Sequence, residues 1–82
     1  MSARLIRDTE LRLARLTGRE REVCELLARG LVTSQIAFEL GTCENTVKSH
    51  RGRVMHKLEV DSIAALARLV RLSPGNRSVS DQ

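Results

Sequence analysis

The chain has 82 residues, enough for one small domain but too few to build a deep substrate pocket as well. It contains one Phe and no Tyr or Trp, so it lacks the aromatic residues that small β-domains use in their strands. Fourteen Lys and Arg against ten Asp and Glu give a net charge of +4, which favours an anionic partner such as nucleic acid. The composition disfavours most enzymes and all-β folds.

No signal segment or membrane span is visible, because the apolar runs are only a few residues long, and we expect a cytoplasmic protein. Cys24 and Cys43 form no CxxC pair and are expected to be reduced thiols. His50 and His56 have no cysteine at metal-ligand spacing. The sequence therefore predicts neither a metal site nor a cofactor.

The first predicted elements are a flexible linker over residues 1–8 and a domain over residues 9–74. Apolar residues up to position 16 fall in loose helical register, but the first strong helix begins at Thr17. There Thr17 and Glu20 have the spacing of a capping box, in which each side chain bonds the other residue's backbone amide. An apolar stripe follows, and Gly30 is expected to end the helix.

A second, short helix is predicted between Thr33, which can cap it, and Gly41, which can end it. Only three residues, 41–43, separate it from the next helix. Two helices joined by so short a link containing glycine must cross steeply. The sequence therefore predicts a helix-turn-helix over about residues 33–52.

The third predicted helix spans residues 44–58. At 100° per residue, Val47, Val54 and Leu58 share one buried side. Between positions 45 and 58 there is no acidic residue, although surface helices normally carry both signs of charge. The opposite side and its flank are predicted to carry Asn45, Lys48, Ser49, Gly52, Arg53 and His56, with His50 nearer the buried side.

A fourth helix is predicted over residues 61–72, capped by Asp61. Ile63, Leu66, Ala67 and Val70 form one apolar stripe of this helix, which can pack on the domain. The second stripe needs a partner, and a second copy of the chain would provide one in a C₂ dimer. The predicted dimer residues are Ala65, Leu69 and Leu72. The polar segment beyond, residues 75–82, is predicted to be disordered.

Three motifs in this order carry a family resemblance: LTGREREVCELLARG (16–30), QIAFELG (35–41) and NTVKSHRGRVMHKLEV (45–60). Together they resemble the LuxR/NarL/FixJ-type DNA-binding domain over about residues 9–74, most closely its FixJ-like response-regulator branch. The resemblance implies an all-α domain of four helices from a bacterial transcription regulator. It also implies that the third helix enters the major groove of double-stranded DNA and that the fourth forms a homodimer. Many members carry an upstream receiver or sensor domain, for which the 16 residues before the first strong helix leave no room, so we expect either a truncated effector domain or a stand-alone small regulator. RNA polymerase is a further candidate partner.

The resemblance and the chemistry of the third helix together give the predicted DNA contacts. Lys48 and Ser49 lie in the half of the helix that contacts bases, and Thr46 lies at its N-terminus, where phosphate is favoured. Gly52 stands where several family members have a base-contacting side chain, and we interpret it as allowing close approach to DNA. The remaining predicted contacts are Arg51, Arg53 and Lys57 with flanking phosphates, and His50, which either fixes helix packing or contacts a phosphate.

Two alternatives to a dimeric transcription regulator remain. A promoter-recognition domain of a sigma factor shares the first two motifs, but such domains usually lack the fourth amphipathic helix. A protein-interaction module could use the helix-turn-helix without DNA, but it would not need an acid-free third helix. An enzyme is not expected, since no Ser-His-Asp set, paired carboxylates or phosphate loop is evident.

Overall fold

Five helices account for most of residues 3–72, which the computed structural model describes, with side chains from Arg7 onward. No strand occurs within these residues. The all-α prediction is confirmed, with one helix more than the four expected, while the predicted tail over residues 75–82 lies outside the described part. In chain order the helices are α1 (Ala3–Leu13), α2 (Gly18–Ala28), α3 (Thr33–Leu40), α4 (Glu44–Leu58) and α5 (Ile63–Arg71).

The additional helix, α1, covers most of the predicted linker. Thr9 and Leu13 on this helix are buried, whereas Leu11 is exposed. The segment is mostly polar and its apolar residues are spaced loosely, so its own helical signal is weak. Tertiary packing supplies most of the stability of such a helix, and a local pattern does not reveal that packing.

The start of α2 has the predicted capping box. Thr17 Oγ1 accepts a hydrogen bond from the Glu20 amide at 3.2 Å, and Glu20 Oε1 accepts one from the Thr17 amide at 3.0 Å. The helix ends at Ala28, and Gly30 follows with φ +96°, a conformation that favours glycine. Both predicted signals for this helix are confirmed.

Two other predicted caps are wrong by one residue. The N-cap of α3 is Val32, whose amide donates to Gln35 Oε1 at 3.0 Å, while Thr33 is the first residue of the helix. The N-cap of α5 is Ser62, whose hydroxyl accepts from the Ala65 amide at 3.1 Å, in place of Asp61. At α5 two adjacent polar residues, Asp61 and Ser62, could serve, and local backbone geometry selects the second. At α3 the N-cap position is apolar, so no side chain caps the helix there.

The link between α3 and α4 has the predicted helix-turn-helix form. Gly41 ends α3 in the left-handed conformation, at φ 67° and ψ 37°, and α4 begins at Glu44. The Thr33 hydroxyl donates to Glu44 Oε2 at 2.9 Å, which joins the first turns of the two helices. This bond adds a polar contact to the apolar packing of α3 on α4.

The core lies around α2, which packs against both α4 and α5, while α3 packs on α4. Within residues 3–72, no helix combines the length and apolarity needed to cross a membrane. The α4 side chains predicted to be buried are indeed fully so. The buried apolar residues are Leu13, Val23, Cys24, Leu27, Ile36, Ala37, Val47, Val54, Leu58, Leu66, Leu69 and Val70.

Candidate nucleic-acid interface

The outer face of α4 is the candidate interface. The helix is held to the body by its opposite side, where Val47, Val54 and Leu58 are completely buried. The side chains predicted to face outward are exposed, as the 3.6-residue period requires. A shallow depression runs along this face and is lined by Lys48, Ser49, Gly52, Arg53, His56 and Lys57.

The exposed basic residues of α4 lie on its outer face and on its flank. Lys48, Arg51 and Arg53 are all exposed, and no carboxylate lies on α4 after Glu44. Lys48 keeps 61% of its side chain accessible and approaches Glu44 only to 4.0 Å. A pair this exposed contributes little energy, so the lysine is free to exchange its carboxylate for another acceptor.

The N-terminus of α4 places Thr46 beside Cys43. The Thr46 hydroxyl lies 3.1 Å from Cys43 Sγ, and this hydrogen bond, with backbone amides of the first turn, lowers the pKa of the exposed Cys43 thiol. Cys43 is the N-cap by position but makes no side-chain cap bond. The first-turn amides point away from the helix, where an anion would be favoured.

Lys57 is oriented differently from the other basic residues of α4. Its ammonium lies 2.7 Å from Glu20 Oε1, and Glu20 is buried, with 3% of its surface exposed. The hydrogen bond from Lys57 lowers the pKa of Glu20, so the pair is ionic at neutral pH. The ammonium of Lys57 therefore lies against Glu20, so its predicted phosphate contact would have to be made with the lysine held in this ion pair.

His50 lies between the exposed and buried sides, as predicted. Its Nδ1 is buried without a hydrogen-bond partner. Contact of this ring with a phosphate would therefore have to use Nε2. Among the residues whose side chains the structure describes, no group of three or more His, Cys, Asp or Glu could hold a metal ion.

Gly52 lies at the centre of the exposed face of α4. Apart from its chain neighbours and the adjacent backbone of α4, no atom lies within 4 Å of the position that a Cβ would occupy, so the fold itself does not require glycine here. Since glycine destabilises a helix interior by about 1 kcal/mol relative to alanine, its presence has a cost without a packing reason. This supports the interpretation that something outside the domain approaches closely.

The predicted dimer stripe on α5 is only partly at the surface. Ala65 and Leu72 are half-buried, but Leu69 belongs to the core, with 9% of its surface exposed. The assignment of Leu69 to a separate outer stripe is thus wrong. The apolar arc of α5 is broad enough for Leu69 to pack on the body together with Leu66 and Val70.

Two arginines near α1 contact the far end of α4, and sequence reasoning missed them. Arg12 donates to the Leu58 carbonyl at 3.3 Å, and Arg15 donates to the Lys57 carbonyl at 3.1 Å. Arg15 also binds the Glu59 carboxylate at 2.8 Å. Last-turn carbonyls of a helix lack intrahelical partners, so arginine donors are favoured there. No local motif marks these two arginines.

A helix-turn-helix whose second helix presents a basic, acid-free face defines a DNA-binding domain. Comparison with known proteins gives the same class: the family described as bacterial regulatory proteins, luxR family, matches residues 14–70. The chain belongs to this family, whose members are DNA-binding transcription regulators. The resemblance found in the sequence is confirmed.

Similar proteins include regulators from several bacteria. The transcriptional regulatory protein UhpA of Escherichia coli K12 is 49% identical over 53 residues, which cover 65% of this chain and 27% of UhpA. The response regulator StyR has a solved structure with TM-score 0.74 and 51% identity, covering 77% of this chain and 32% of StyR. Full-length FixJ from B. japonicum matches with TM-score 0.77 and 35% identity, over 84% of this chain and 34% of FixJ. This chain spans about a quarter to a third of the length of these relatives.

Proposed function

We propose that this chain binds operator DNA sequence-specifically as a dimer, with α4 in the major groove, as the output domain of a response regulator. The observation that carries the proposal is the outer face of α4, where every exposed charge after Glu44 is positive. A major groove about 12 Å wide admits one helix, and phosphates line both of its edges. As an output domain it would work in the cytoplasm, under an upstream receiver or sensor domain and acting on RNA polymerase.

The exposed residues of α4 divide into two proposed roles. Lys48 and Ser49, in the N-terminal half of the helix, would contact base edges, and Gly52 would allow the backbone to approach them. Arg51 and Arg53 would contact phosphates along the groove, with His50 using Nε2. Thr46 would support a phosphate at the helix N-terminus, where amides and helix dipole add to its hydroxyl.

The test is selection of a preferred duplex from a random library, followed by mobility-shift titrations. Lys48→Ala should reduce discrimination between the preferred and a random duplex by about 1–3 kcal/mol. Arg53→Ala, the matched control, should weaken binding to both duplexes about equally. Failure of the wild-type chain to enrich any sequence would contradict the proposed function, and equal behaviour of the two variants would contradict the division of roles.

A further inference from the structure

The ion pair between Glu20 and Lys57 joins the start of α2 to the last turn of α4. Lys57 Nζ and Glu20 Oε1 are 2.7 Å apart, and the same carboxylate oxygen accepts from the Thr17 amide at 3.0 Å. Because Glu20 is buried and bonded on two sides, its carboxylate cannot turn outward with the lysine. Release of Lys57 to a phosphate would leave a buried charge without its partner, which is strongly unfavourable.

Arg53, one turn earlier on α4, shows the contrasting arrangement. It is exposed and forms no ion pair with any residue in the described part of the chain. Both residues line the depression on the outer face of α4, but within the described residues only Lys57 has a carboxylate against its charge. The two basic residues therefore differ in what they can do, although the sequence pattern treats them alike.

The last turn of α4 is contacted from two directions. Lys57 is held through its side chain by Glu20 and through its carbonyl by Arg15, at 3.1 Å. An α-helix rises about 1.5 Å per residue, so Lys48 lies about 13 Å along the axis from Lys57. Because of this length, even a small tilt of α4 about its contacted end would displace the base-contacting end.

We propose that Glu20 and Lys57 are positioning residues for DNA recognition: their ion pair fixes the orientation of α4 against α2, and Lys57 contacts no phosphate. The inference rests on the proposed function and goes beyond it by naming residues that act through Lys48 and Ser49 without touching DNA. Salt titration can distinguish a residue that contacts phosphate from one that only positions α4. The slope of log affinity against log salt is negative, and each lost phosphate contact reduces its magnitude by about 0.9. Loss of a positioning residue leaves the slope unchanged.

The experiment uses the full chain and two duplexes of equal length, one selected by the wild type and one of random sequence. Lys57→Met alone would strand the buried Glu20 carboxylate, so the main variant is the double change Glu20→Gln with Lys57→Met. Lys57→Arg keeps the ion pair and tests rescue, and Arg53→Met is the control that removes an available charge. Circular dichroism establishes that each variant is folded at the temperature of the titration.

The double variant is expected to keep the wild-type salt slope and to lose discrimination by about tenfold or more, the scale of one base contact. Lys57→Arg should restore discrimination, and Arg53→Met should reduce the magnitude of the salt slope. A slope reduced in the double variant as in Arg53→Met would show a phosphate contact and overturn the inference. Unchanged slope and discrimination would show a pair that only stabilises the fold, which also overturns it. Absence of salt-dependent binding by the wild type would instead overturn the proposed function.

Discussion

Glycine 52 is where stability and the proposed function make opposite demands on one residue. Open space surrounds the position of its missing Cβ, so alanine fits the fold. We expect Gly52→Ala to raise the free energy of unfolding by about 0.5–1 kcal/mol, because glycine loses more backbone entropy in a helix. We expect the same change to weaken binding to the preferred duplex, because a methyl group would separate α4 from the bases. Thermal unfolding and mobility-shift titration measure the two effects.

Gly18→Ala is the matched control for this substitution. Gly18 lies in the first turn of α2, and its Cβ position is also open. This change adds the same methyl group outside α4, in open space, and should leave DNA affinity unaltered. Wild-type affinity in Gly52→Ala would remove the close-approach interpretation.

The two thiols should differ sharply in reactivity. Burial raises the pKa of the Cys24 thiol to about 11, whereas the hydrogen bond with Thr46 lowers the pKa of the exposed Cys43 thiol. Since the thiolate is the nucleophile, iodoacetamide should alkylate Cys43 in the native chain well before Cys24. Peptide mass spectrometry at increasing times gives the rates, and Cys43→Ser should abolish the fast one. Comparable native rates at both thiols would show that the core around Cys24 opens easily.

At the scale of the element, α5 is the helix in which the sequence pattern assigned a buried leucine to the outer side. Leu69 packs in the core, while Leu72 and Ala65 retain partial exposure. We expect Leu69→Ala to lower the free energy of unfolding by about 2–5 kcal/mol, the usual cost of deleting a buried leucine side chain. Denaturant titration followed by circular dichroism measures this. A decrease in the free energy of unfolding well under 1 kcal/mol would contradict the assignment of Leu69 to the core.

The proposed dimer predicts a different outcome for Leu72→Glu. This variant should stay folded and bind one half-site, but lose cooperative binding to two half-sites, because the carboxylate would oppose its own copy across a C₂ seam. Leu11→Glu makes the same chemical change at an exposed position on α1 and is the control. Mobility shifts on duplexes with one and two half-sites separate these behaviours. Retained cooperativity in Leu72→Glu would place the dimer contact elsewhere.

For the whole molecule, pH should control stability through Glu20. The folded-state pKa of Glu20 is lowered below its ordinary 4.5, chiefly by the hydrogen bond from Lys57. A lowered carboxylate pKa contributes stability that is fully present above the unfolded value of 4.5 and is lost as pH falls through the lower folded value. Denaturant unfolding of wild type and Glu20→Gln at a series of pH values isolates this contribution, since other carboxylates affect both proteins alike. The difference between the two curves should shrink as pH falls below 4.5, and a constant difference would contradict the assignment.

The local sequence was sufficient to predict α4 and its surroundings. A 3.6-residue period placed Val47, Val54 and Leu58 on the buried side, and Gly41 and the Thr17 capping box marked helix ends within a few residues of chain. These features depend on backbone conformation and on neighbours one or two turns away. Such short-range physics is present in the sequence itself, so the helix-turn-helix and the acid-free outer face could be predicted.

The contacts of the long and borderline side chains depend on how the helices pack and could not be read from local spacing. Lys57 has the same spacing as a phosphate contact, but its ammonium meets Glu20, 37 residues earlier in the chain. Arg12 and Arg15 reach carbonyls more than 40 residues away, and Leu69 joins the core although its stripe suggested an outer face. Helical periodicity gives the direction in which a side chain points from the axis of its own helix. It does not give the neighbour that the packed helices bring to that side, and this neighbour determines whether a flexible charge points to solvent or to the protein.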